Sequence, residues 1–133
     1  MGNIYSKSDD LKSWNAAFQI HYNKIKDDLK ANVKKNHWIW YIFPTSKPGA
    51  NDPHKVKVNS ENIKEFLKLN DPQYLLWFSI IQDISTKDKK FIPKNDLGRI
   101  NYFMKEWYSL VEKSDKSKTL LPVLNKIKEK WCC

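Results

Sequence analysis

Cysteine is missing from the body of this 133-residue chain; the two present are Cys132 and Cys133. Neighbouring cysteines bridge each other only under strain, so no disulfide framework and no zinc-ligand spacing is expected. With three histidines and no internal cysteine pair, neither a metal site nor a cofactor is expected. Glycine is scarce as well, with three residues. The sequence holds no glycine-rich phosphate loop, no Gly-x-Ser-x-Gly elbow and no His-Glu-x-x-His, so no standard catalytic template supports an enzyme. The longest apolar run, residues 38–43, falls far below the roughly 20 residues a membrane-spanning helix needs. No apolar signal core stands near the N-terminus, and an intracellular, non-secreted protein is expected.

Arginine is nearly absent too. Basic residues number 24 against 15 acidic ones, a formal charge of +9, and Arg99 is the single arginine. The excess favours anionic partners, either a phosphate-bearing small molecule or an acidic protein. Nucleic acid fits a lysine-only surface less well. A lone arginine against such a lysine bias points to a place that needs a planar fork of five donors.

What the chain has in quantity is rings: six Trp, six Tyr and six Phe. These bury enough area to close one core. Apolar positions Leu11, Trp14, Phe18, Tyr22, Ile25, Leu29 and Val33 recur every three or four residues, predicting a long amphipathic helix. Ser60 is the expected cap of a short helix with Ile63, Phe66 and Leu67 inward. Asp71-Pro72 reads as cap and first turn of a helix over 74–84, apolar nearly all round and so central. Asn95 and Asp96 are expected to cap a helix bearing Leu97, Ile100, Phe103, Met104, Trp107, Leu110 and Val111 on one side. A last helix from Thr119 or Leu120 carries Leu121, Leu124, Ile127 and Trp131. The expectation is an all-α, compact single domain of about five helices over 11–131. An extended or irregular aromatic segment and loop fill 36–58, a flexible lead occupies 1–10, and a Cys tail occupies 132–133. For 36–44 an extended segment and a short buried helix ended by Pro44 read alike.

The stretch Lys34-Lys35-Asn36-His37-Trp38-Ile39-Trp40-Tyr41-Ile42-Phe43-Pro44 resembles the signature of the family "domain of unknown function eighteen-ten", some of whose members are labelled calpastatin-like. That signature is a basic pair, then Ser-His-Trp, a spaced Trp, an aromatic and Phe-Pro-Gln. The likeness reaches back through the Phe18 to Leu29 helix and forward to residues 62–67 and to Asp71-Pro72. It implies a compact, mostly helical domain and no defined activity. The family's Gln is Thr45 here, and its glycine-rich continuation is Ser46-Lys47-Pro48-Gly49. Residues 92–100 also resemble a divergent branch found in large DNA viruses and their unicellular hosts.

Two internal clusters are candidate ligand sites. His37, Trp38, Trp40 and Tyr41 offer rings on which a base could stack, or else simply core. Asp96, Gly98 and Arg99 open a helix where free N–H groups and a guanidinium suit a phosphate, or else form a capped helix with a surface ion pair. The termini suggest lipidation. Gly2 and Ser6 fit the myristoylation pattern, and Cys132 and Cys133 could be acylated or prenylated. Three readings follow: a small basic binding module for an anionic ligand or acidic partner, a lipidated peripheral-membrane or virion-associated protein, and an enzyme on a nucleotide or ADP-ribose-like substrate.

Overall fold

The first helix begins on two aspartates and runs as a 23-residue α-helix, α1 (Asp9–Ala31), in the computed structural model, which describes residues 9–47, 56–69 and 72–132. Its predicted stripe is buried at Leu11, Trp14, Phe18, Ile25 and Leu29. The helix stops at Ala31, two residues short of the last position of the stripe. Asn32 takes a left-handed φ of 59°, and the N–H groups of Asn32 and Val33 return to the carbonyls of Leu29 and Asp28. This is a Schellman ending, and it swings Val33 off the stripe to 51% exposure.

Five further helices follow: α2 (Ile39–Ile42), α3 (Ser60–Leu67), α4 (Pro72–Ser85), α5 (Leu97–Glu112) and α6 (Ser117–Trp131). There is no strand among the described residues, and the domain is all-α. The aromatic segment is thus a single helical turn rather than a strand. Pro44 stands two residues past its end, where its missing N–H costs no helical bond.

The cap of α3 is Asn59, not Ser60. Its side chain accepts from the Asn62 N–H at 2.9 Å, and the Asn62 side chain accepts from the Asn59 N–H at 3.0 Å. The pair closes a reciprocal capping box with Asn in the usual Glu position. α4 starts with Pro72 at its first position, where a missing N–H is harmless. It is not buried all round: Tyr74, Trp77, Ile80, Ile81 and Ile84 face inward while Leu75 stands 57% exposed. α6 begins at Ser117, earlier than expected, and keeps Pro122 inside it. The charged stretch after α4 contains two 3-10 turns, Lys89–Phe91 and Lys94–Asp96, and buries Phe91 and Ile92.

α5 packs on α6 and α3, α4 on α6, and α1 on α2, α3 and α4. At the centre Trp77 and Trp107 stack with centroids 5.5 Å apart, and Trp14 meets both edge-on at 6.4 and 6.3 Å. Offset and edge-on pairs of this kind add to the area they bury.

Candidate functional site

The aromatic segment carries backbone carbonyls into the core, where each needs a donor. Tyr41 O accepts from the Trp14 indole at 2.5 Å, and Ile42 O from the Trp77 indole at 2.9 Å. Phe43 O accepts from Arg99 Nε at 3.1 Å, and Pro44 O from the Trp107 indole at 2.8 Å. Four successive carbonyls are therefore served by side chains of α1, α4 and α5. Arg99 also donates through Nη1 to Lys47 O at 2.8 Å. Its planar fork bridges two carbonyls four residues apart, a task an ammonium performs less well.

The other end of the segment hangs on Asp28, 1% exposed. Its carboxylate accepts from the backbone N–H groups of Lys35 and Asn36, from the Asn36 amide, and from the Trp38 indole at 2.7 Å. A buried carboxylate with four donors is satisfied rather than reactive. Lys34 lies over the Trp38 ring at 5.0 Å and pairs with Asp96 at 2.9 Å. Asp96 makes no side-chain cap bond to α5, so its carboxylate ties α5 to the motif instead.

The sequence-proposed ligand residues thus fall into separate surroundings. Trp38 and Tyr41, at 0% and 1% exposure, present no surface to a ligand as folded; Tyr41 stacks on His21 at 4.4 Å. Trp40 is half-buried and His37 exposed. Asp96 and Arg99 flank the first turn of α5 and grip opposite ends of the motif. A Cβ at Gly98 would meet nothing within 4 Å, so packing does not demand glycine there. Cys132 is half-buried, while Gly2 and Cys133 lie outside the described residues. Among the described residues no cluster of three His, Cys, Asp or Glu could hold a metal, and no helix is long and apolar enough to cross a membrane.

Residues 8–69 match the sequence profile of a family described as "Protein of unknown function (DUF1810)". Over this stretch, a little under half of the chain, the sequence is similar to the DUF1810 family. No curated protein and no solved structure matches it. The DUF1810 segment spans α1, the aromatic motif and α3, whereas Trp77, Arg99 and Trp107, which serve the motif's carbonyls, lie beyond the match. The motif's interior role therefore needs the second half of the chain.

Away from the DUF1810 segment, lysines divide by what their ammonium groups reach. Lys87 donates to Leu29 O at 2.7 Å and to Asn32 Oδ1 at 2.8 Å, capping the end of α1. Lys130 donates to Ser85 O and Lys87 O, capping α4. Others line shallow depressions around the final turns of α6. One of about 270 Å3 is bordered by Lys105, Tyr108, Lys128 and Cys132. Another, of about 450 Å3, is bordered by Thr86, Lys126 and Glu129. A third, of about 600 Å3, carries Lys89, Lys90 and Lys94 over Ile92, Leu97 and Trp131. No sequence periodicity marks these lysines, because what gathers them is the packing of α6 against α4 and α5.

Proposed function

We propose that this chain is a small basic binding module that holds an anionic partner at the end of the domain where α6 finishes against the loop after α4. The observation that carries the reading is the lining of the three depressions there. It includes Lys89, Lys90, Lys94, Lys105, Lys126 and Lys128, against the acids Asp88 and Glu129. Such concentration of one sign raises the local potential and the encounter rate with anions. Asp88 is in part withdrawn, since its carboxylate accepts the Lys90 N–H within the 3-10 turn. The family motif supports this reading indirectly: with Trp38, Tyr41 and Arg99 occupied in the interior, the surface chemistry lies elsewhere.

Binding to polyglutamate, followed by amide chemical shifts, tests the assignment. Shifts should cluster at residues 86–94 and 126–132 and fade as salt approaches physiological strength, where screening acts over about 8 Å. Lys105→Glu with Lys126→Glu should weaken binding about tenfold, because rim charges reversed at the contact repel the ligand. Reversing Lys12 and Lys24, exposed on α1, changes net charge equally and should leave affinity within about twofold. Equal losses from both pairs would mean diffuse attraction and would defeat the proposal.

A further inference from the structure

We infer that the groove between the 88–97 loop and Trp131 is a docking site for an acidic protein segment carrying an aliphatic side chain, an inference that rests on the anion-binding reading above and gives it a partner. The groove has two chemically distinct parts. Its floor is apolar, formed by Ile92, Pro93, Leu97 and Trp131, and its rim carries Lys89, Lys90 and Lys94 against the single acid Asp88. Among the described residues none of these three lysines has an acid within salt-bridge distance, and all three side chains are exposed.

Charge complementarity selects the occupant. A purely apolar segment would leave three ammonium groups beside a low-dielectric surface, and a purely acidic one would leave the floor wet. A segment with one or two leucine-like side chains flanked by Glu or Asp satisfies both parts. Its volume, about 600 Å3, lies in the range of pre-formed ligand sites and admits a few side chains. The shape argues against a membrane as the natural partner. Ile92 and Trp131 are 4% and 3% exposed and recessed in a concavity. A bilayer surface is engaged by apolar side chains that protrude into it.

The walls are held in advance, which lowers the ordering cost of docking. Trp131 Nε1 donates to Lys89 O at 2.8 Å, fixing the rim to α6. Phe91 packs against Trp38 with centroids 6.1 Å apart, and the Lys34–Asp96 pair secures the far turn to the DUF1810 segment.

The test uses the full chain and a short Glu/Leu peptide, with a Glu/Ser peptide of equal charge as its control, followed by fluorescence anisotropy. The Glu/Leu peptide should bind about tenfold tighter, the margin a small apolar contact typically gives. Leu97→Ser should erase that margin and leave Glu/Ser binding unchanged. Lys89→Glu, Lys90→Glu and Lys94→Glu together should weaken both peptides. Should Leu97→Ser fail to fold, as judged by circular dichroism, Pro93→Ser at the half-buried neighbour replaces it. Equal binding of the two peptides overturns the inference. So does tighter binding to phosphatidylserine vesicles than to Glu/Leu peptide with no effect of the floor variant. In either case polyglutamate binding that still depends on Lys105 and Lys126 leaves the broader anion-binding reading standing, whereas loss of that dependence removes both.

Discussion

In residues 38–44 each carbonyl from Tyr41 to Pro44 meets a side-chain N–H from another helix, and nearly every ring is sealed from water. In residues 88–94 the backbone is tied to α6 at one carbonyl, that of Lys89, by the Trp131 indole, while Lys89, Lys90 and Lys94 stand in solvent. Both stretches mix rings with basic residues or basic neighbours. The difference is where the donors are used: in the first they are consumed by the chain itself, and in the second they are left for something else. The more conspicuous motif in the sequence is thus the less accessible one in the fold.

Four experiments probe that contrast, from the largest expected effect down. Asp28→Ala leaves the buried Trp38 indole N–H and three part-buried N–H donors without their acceptor and should cost about 3 kcal/mol in urea unfolding, the scale for donors stripped of a charged partner. Arg99→Lys keeps the charge but loses the fork between Phe43 O and Lys47 O. A loss of about 1 to 2 kcal/mol is expected, with polyglutamate affinity unchanged. If affinity falls in step with stability, Arg99 belongs to the ligand surface and the contrast dissolves.

The third experiment uses Tyr74, whose hydroxyl is pushed up to about 12 by desolvation. The folded state keeps this proton after the unfolded chain has lost it. The tyrosine's contribution is therefore intact below about pH 10 and drains away between pH 10 and 12. Lysines titrate in the same window, so the readout is the difference between wild type and Tyr74→Phe, whose stability should fall less steeply there. Last, Lys90→Ala should shift stability by less than about 0.5 kcal/mol, as exposed positions do, while still weakening polyglutamate binding.

Helical stripes were the most legible part of the fold, because burial repeats at helical spacing in α1, α5 and α6. Errors arose where local chemistry had rivals. Asn59 displaced Ser60 as a cap because Asn62 could answer it, and Asn32 ended α1 before Val33 could join the stripe. Leu75 shows that an apolar residue in an apolar helix need not be inside. For the candidate site, the singularity of Arg99 pointed to a real need for a guanidinium, though the atoms it serves belong to the backbone 52 to 56 positions away. Such pairings are set by tertiary packing and leave no spacing to read. The same holds for Lys34, Lys87 and Lys130, whose sequence neighbours look like those of any surface lysine.

Lys130 and Lys87 make two successive ties: the last helix holds the Ser85 and Lys87 carbonyls after α4, and the Lys87 ammonium closes the end of α1. During synthesis the first helix is made long before the residue that secures its exit. A nascent chain emerging from the ribosome can form its opening helix early, yet the clasp at the end of that helix must wait until position 87 is free of the exit tunnel.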